Sequence, residues 1–136
     1  MPAHIHPITV YYEDTDFSGV VYHANYLKFM ERAREHAFGI EELVRRWKEG
    51  GMGFVVYKAA LTYREPAVHG DQLEVHTTMT RETKIRIVCD QRVRRKGGSK
   101  DLVIGRIELV PVTAAGRLCD VPEDLLYILD RWAPTH

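Results

Sequence analysis

Residues 12–23 read YEDTDFSGVVYH and place two carboxylates, Asp14 and Asp16, close to Gly19 and His23, directly ahead of a long run with helical periodicity. Where a loop becomes a helix, the first N–H groups have no intrahelical acceptor and lie at the positive end of the helix dipole. They can therefore hold an anion or a developing oxyanion. A carboxylate kept opposite such donors supplies the other half of an acyl-transfer site, attacking a carbonyl carbon or activating water while the amides stabilise the oxygen. Asp16 is the candidate carboxylate, and the donors are expected around Tyr22, His23 and Ala24, with Tyr26 on the next turn. Gly19 lets the loop turn and lets a ligand approach the backbone closely. Asp14 suits an Asx turn instead, and Asp-Thr-Asp with Ser-Gly are ordinary turn residues, so the stretch taken alone also fits a purely structural loop.

The elements that must position these groups follow from periodicity. Tyr26, Met30, Ala33, Ala37, Ile40, Val44 and Trp47 recur at alternating steps of four and three, which predicts an apolar seam along one long helix. Lys28, Glu35, Glu42, Arg45, Arg46 and Glu49 form its charged side, Gly39 bends or divides it, and Gly50, Gly51 and Gly53 end it. Beyond Gly53 the period becomes two. A strand is expected to Tyr63 or Arg64, closed by Pro66 and the Gly70-Asp71 turn, and three more over about 72–81, 84–95 and 101–111. With a β-rich segment over 4–12 and a short helix over 122–132, the expectation is an antiparallel-rich α+β domain, one helix packed on a single bent sheet. Residues 1–136 are read as one domain, since a chain of this length buries about two-thirds of its unfolded surface.

Nineteen basic and nineteen acidic side chains cancel, so the chain lacks the global positive field of a nucleic-acid binder. The first residues lack a basic-then-apolar leader, and no apolar run approaches the roughly 18–20 residues that span a bilayer, so a cytoplasmic location is expected. Cys89 and Cys119 lack C-x-x-C spacing and read as buried free thiols. A sheet covered by a helix on one face leaves an edge or face for a second copy, so a homodimer is expected.

The whole string from Tyr12 to His23, followed by Asn25-Tyr26 and by Glu31-Arg32-Ala33-Arg34, resembles the hotdog-fold acyl-CoA thioesterases, in the branch of 4-hydroxybenzoyl-CoA thioesterase and the YbgC-like enzymes. Arg64-Glu65-Pro66-Ala67 with Gly70-Asp71, and Val121-Pro122, extend the likeness over nearly the whole chain. The resemblance implies a long helix wrapped by a curved five-stranded antiparallel sheet with a short C-terminal helix, and sites at a dimer interface with dimers paired into tetramers. It also implies hydrolysis of an acyl-CoA thioester without a separate cofactor, coenzyme A being part of the substrate. Asp16 matches the family's catalytic carboxylate, and His23 matches the residue that opens the helix. The His23 ring could orient the thioester or donate a proton, and the acyl carrier could be acyl carrier protein rather than coenzyme A.

Coenzyme A brings phosphates. Lys84, Arg86, Arg92, Arg94 and Lys96 share one parity along the expected fourth strand and are phosphate candidates, though a salt-bridged, solvated strand face explains them as readily. Tyr22, Tyr26 and Tyr57 could line an acyl pocket or belong to the core, and Glu31 could support the site from the helix or face water. His4, His6, His69 and His76 lack diagnostic metal spacing. Two other readings compete with hydrolysis: a noncatalytic acyl-thioester or acyl-carrier-protein binding module, which would not need Asp16, and a hotdog dehydratase, which would need a differently placed histidine and acid.

Overall fold

The computed structural model describes residues 3–134. Strand β1 (His4–Thr9) is followed by a 3-10 turn over Tyr12–Asp14, helices α1 (Asn25–Phe38) and α2 (Ile40–Gly50), and strands β2 (Met52–Tyr63), β3 (Gln72–Thr83), β4 (Arg86–Arg95) and β5 (Val103–Thr113). A second 3-10 turn (Glu123–Leu125) leads into α3 (Leu126–Arg131). The strands form one antiparallel sheet in the order β1-β3-β4-β5-β2, so β1 and β2 are its edges.

The alternation expected after Gly53 is present, with one irregularity in β2 and another near the end of β3, between Arg81 and Thr83. Val56 pairs with Leu109 and Lys58 with Glu108, so Tyr57 is an extra, unpaired residue, a β-bulge in β2. Along β3 and β4 the inward residues Leu73, Val75, Met79, Ile87, Cys89 and Val93 are buried and pack under α1. Burying side chains of this size is worth roughly 1.5–3 kcal/mol each, which is why the period-two pattern decides the sheet's inner face.

Helix α1 sits on that face through Tyr26, Phe29, Met30, Ala33 and Ala37, all buried. Gly105 on β5 makes the close seat possible: a Cβ there would lie 2.7 Å from Met30 Sδ. The buried Gln91 of β4 fixes the same helix from below, donating from Nε2 to the Met30 carbonyl (2.9 Å) and to Thr77 Oγ1 (3.0 Å) and accepting from Arg34 Nη1 (3.0 Å).

Of the two outcomes expected at Gly39, a bend or a division, the long helix shows division, into α1 and α2. Gly39, at φ 98°, stops α1 and redirects the chain, a conformation that glycine adopts without a Cβ penalty. The apolar seam consequently ends at Ala37: Ile40, Val44 and Trp47 are about half exposed (45%, 45% and 52%). Helix α2 is held instead by Arg46, whose buried guanidinium bonds Glu42 (2.8 Å) and Asp124 (3.0 Å). At the other end, Trp132 donates from Nε1 to the Ala37 carbonyl (3.0 Å) and accepts at its own carbonyl from Met79 N–H (2.9 Å), closing the layer between α1 and the sheet. Among the described residues no helix is long and apolar enough to cross a membrane.

Candidate active site

The loop before α1 is built on Asp14. Its buried carboxylate accepts from Tyr11 N–H (2.9 Å) at Oδ2 and from Asn25 Nδ2 (3.0 Å) at Oδ1, and its carbonyl accepts Tyr22 N–H (2.8 Å). Asp14 therefore does the structural work expected of it. Two residues on, Asp16 makes a local turn of its own, with Oδ1 accepting from Ser18 N–H (2.9 Å) and Ser18 Oγ (2.6 Å). Asp16 N–H donates to the Val20 carbonyl (2.9 Å) and Gly19 N–H to the Asp16 carbonyl (3.0 Å), with Gly19 at φ 86° as the tight turn requires. The Ser18 hydrogen bonds, side chain first and backbone second, hold the Asp16 carboxyl below the usual carboxylate range. Among the described residues Asp16 Oδ2 accepts no hydrogen bond.

This loop is pinned against the segment that follows β2. Val21 N–H donates to the Ala67 carbonyl (2.9 Å), and Ala67 N–H donates to Tyr26 Oη (3.1 Å). Arg64 and Glu65 N–H both donate to the Leu102 carbonyl (2.8 and 3.1 Å). A cavity of about 260 Å³ opens between the two segments, lined by Asp16, Val20, Val21, His23 and Tyr26 on one side and by Tyr63, Arg64, Glu65 and Pro66 on the other.

His23 does not open the helix. Residues 22–25 form a turn closed by Asn25 N–H donating to the Tyr22 carbonyl (2.8 Å), and α1 starts at Asn25. The Tyr22 amide, expected among free donors, is taken by Asp14. The free donors are one step further on: among the described residues neither His23 N–H nor Ala24 N–H meets a protein acceptor. Tyr22 itself is 46% exposed and lies off the cavity wall, with its ring 4.6 Å from that of His23. Gly19 shapes the loop without lining the cavity.

The structure brings Asp16, His23 and Tyr26 together and leaves the basic residues elsewhere. Arg86, Arg92 and Arg94 lie on β4 facing away from the core, with Lys84 and Lys96 in the flanking turns. Arg92 and Arg94 are bound to Asp101 (2.8 and 2.7 Å), Arg92 also to Asp90 (3.0 Å), and Arg86 to Glu82 (3.3 Å). None of them, nor Lys96, lines the cavity. Tyr57 lies under Arg86, 5.1 Å from ring centre to guanidinium carbon, also away from the cavity. Glu31 is exposed and borders a separate crevice between α1 and β2.

Tyr63, Arg64 and Glu65 were not singled out for this cavity from the sequence. Tyr63 Oη donates to the His23 carbonyl (3.1 Å), and Glu65 Oε1 meets Lys100 Nζ (3.1 Å). Their local signals are a strand end before Pro66 and the likeness of Arg64-Glu65-Pro66-Ala67 to the family's turn; that this segment abuts residue 23 is a tertiary fact. Cys89 is buried, which pushes its thiol up to about 12, whereas Cys119 is only partly buried. His4 and His6 meet His36 and Trp132, while His69 meets Tyr12 and His76 meets Glu74.

The sequence profile of the Thioesterase-like superfamily matches residues 10–129. The acyl-CoA thioester hydrolase YbgC of Escherichia coli O157:H7 is 41% identical over 92 residues, covering 64% of this chain and 66% of that protein. The acyl-CoA thioesterase YbgC of Helicobacter pylori is 42% identical over 84 residues, 62% of each chain. The matched stretch thus spans just under two thirds of these curated relatives. Among solved structures, a probable thioesterase from Bartonella henselae superposes with a TM-score of 0.79 at 31% identity, over 88% of this chain and 99% of that one. A 1,4-dihydroxy-2-naphthoyl-CoA thioesterase from Synechocystis superposes with a TM-score of 0.85 at 23% identity, over 94% and 96%, a likeness of fold. The fold is the hotdog fold that the resemblance implied, with its helix divided.

Proposed function

The chain belongs to the Thioesterase-like superfamily, and from that membership we propose that it is a YbgC-like acyl-CoA thioesterase whose working carboxylate is Asp16. The observation that carries this reading is a cavity lined by both Asp16 and His23, with Asp16 Oδ2 and the His23 amide, at the approach to α1, unengaged among the described residues.

A thioester carbonyl seated between them has its carbon toward Asp16 and its oxygen toward the amides. Asp16 drives addition either by attack of its own oxygen or by taking a proton from a water that attacks. In both routes the electron pair of the C=O bond moves to oxygen, where the His23 N–H meets the charge. Collapse re-forms the carbonyl and breaks the carbon–sulfur bond, expelling coenzyme A as thiolate. A thiol titrates near about 8.5, so this leaving group needs little acid assistance at neutral pH. Direct attack leaves an acyl–Asp16 anhydride that water then hydrolyses; where water adds at the Asp16 carbonyl carbon, turnover in ¹⁸O water labels Asp16, which the water route does not.

The lowered pKa of Asp16 favours the reading, because a carboxylate that acts as base or nucleophile must be ionised at working pH. Arg64 lines the cavity, with Lys100 beside Glu65, whereas the paired arginines of β4 do not, which favours Arg64 as a phosphate contact. Residues 55–60 of edge strand β2 are all exposed, which favours pairing with a second copy along β2. The cytoplasm, where acyl-CoA is made, is the compartment that fits this substrate.

The experiment is thiol release from a panel of acyl-CoA and acyl-carrier-protein thioesters. Hydrolysis by the wild type that is lost in Asp16→Asn is the expected result, and undiminished turnover by that variant would refute the assignment. Tight binding without any release would favour the binding-module reading.

A further inference from the structure

Two unengaged amides at the start of α1 are useful only if they point in a fixed direction, and the bonds around them differ in origin. Tyr22 and Asn25, the ends of the turn, are tied locally: Tyr22 N–H donates to the Asp14 carbonyl, Asn25 N–H to the Tyr22 carbonyl, and the Asn25 side chain to Asp14. The Tyr22 carbonyl shares a planar peptide with His23 N–H, so the bond from Asn25 fixes that donor. The His23 carbonyl shares a planar peptide with Ala24 N–H, and its partner is Tyr63 Oη, at 3.1 Å and 40 positions away.

Resting on the thioesterase reading above, we propose that Tyr63 is a positioning residue for the oxyanion donors, its hydroxyl clamping the His23–Ala24 peptide to the end of β2. The clamp acts in two ways. It stops the peptide from rotating, so no reorganisation is needed when charge appears on the substrate oxygen. It also polarises the peptide it binds, since a carbonyl that accepts a hydrogen bond makes the N–H of the same amide a stronger donor. Tyr63 is placed for this by its surroundings. Its ring lines the cavity between Tyr26 (5.8 Å between centroids) and His23 (6.1 Å), and its hydroxyl is directed at backbone. Burial pushes the phenol up, which keeps Oη a donor across the working range of a thioesterase.

Tyr63→Phe keeps the ring and removes only the hydroxyl. Its kcat on an acyl-CoA that the wild type hydrolyses should fall about tenfold, less than the 10²–10³ lost with a whole oxyanion donor, because the amides remain and only their support is gone. KM should stay within about twofold, the melting temperature should be unchanged, and the acid limb of the pH–rate profile, set by Asp16, should not move. An unchanged kcat, a rise in KM alone, or a kcat that falls only together with the melting temperature would each overturn the role of Tyr63 and leave the thioesterase reading standing. Absence of turnover by the wild type across the panel would overturn both.

Discussion

Asp14 Oδ1 lies 3.0 Å from Asn25 Nδ2, so the first residue of α1 is anchored by a carboxylate eleven positions back in the chain. The two aspartates of the loop are thereby divided in role. Asp14 is buried and holds the turn and the helix start, while Asp16 is only partly buried and bonds nothing beyond its own loop.

That division gives opposite outcomes on substitution. Asp14→Ala strands the Tyr11 N–H and the Asn25 amide and should lower stability by about 1–3 kcal/mol, seen as a lower denaturant midpoint. Asp16→Asn should leave that midpoint unchanged, because the carboxamide oxygen still accepts from Ser18, while turnover falls about 100-fold or more. A large stability loss in Asp16→Asn would remove the distinction.

Ser18 sets the pH at which Asp16 ionises. Its hydroxyl and amide favour the charged carboxylate, so the folded-state pKa lies below the ordinary value and the ionised form persists to lower pH. Ser18→Ala removes the hydroxyl bond and should shift the acid limb of the pH–rate profile upward, with turnover near pH 8 little changed. A profile that stays in place would show that another group controls the limb.

A histidine cluster between β1 and α1 should make stability fall in mild acid. His6 stacks on His36 with centroids 4.4 Å apart, His4 meets the edge of Trp132 at 4.9 Å, and Arg32 adds a further positive charge. Burial first, then the neighbouring positive charges of the other histidines and Arg32, holds His4 and His6 below the ordinary imidazole value of 6.5. The unfolded chain thus takes up protons before the folded one. Stability is complete above pH 6.5 and is lost as pH falls through that value toward the depressed folded-state ones. His36→Phe keeps a ring for stacking and removes one charge, so the difference in urea midpoint between pH 7.5 and pH 5.5 should shrink. An equal difference would place the acid sensitivity elsewhere.

Charge reversal separates the two candidate phosphate contacts. Arg64→Glu should raise KM for acyl-CoA at low ionic strength and lose this effect in high salt, since Arg64 lines the cavity and is exposed. Arg94→Glu should leave KM nearly unchanged and act through its broken pair with Asp101. The reverse ranking would move the coenzyme's phosphates onto the β4 face.

Much of the fold was legible because burial imposes a period. Leu73 to Val93 alternate as an inward face, and Tyr26 to Ala37 form a stripe, so strands and helix could be read from the order of residues. The stripe misled beyond Gly39: Ile40, Val44 and Trp47 continue its spacing but face outward, because one backbone angle redirected the helix. Asp16, His23 and Tyr26, which line the cavity, and Gly19, which shapes the loop, could be grouped from the sequence since loop, turn and helix start are neighbours in it. The Tyr22 amide was misassigned because its acceptor, the Asp14 carbonyl, belongs to a backbone path that residue types do not encode. Tyr63 was invisible as a partner of His23, being 40 positions away and joined to it only by the folding of β2 alongside α1.

The surplus residue in β2 reaches further than its own neighbourhood. Side chains on a strand take opposite sides in turn, so an insertion at Tyr57 inverts the handed-down assignment of every position after it. Tyr63, six places and roughly 20 Å downstream, owes its view of the His23 carbonyl to that inversion. Were position 57 paired in regular register, Thr62 or Arg64 would face that way instead, so the wall of the candidate cavity is chosen by an arithmetic of odd and even.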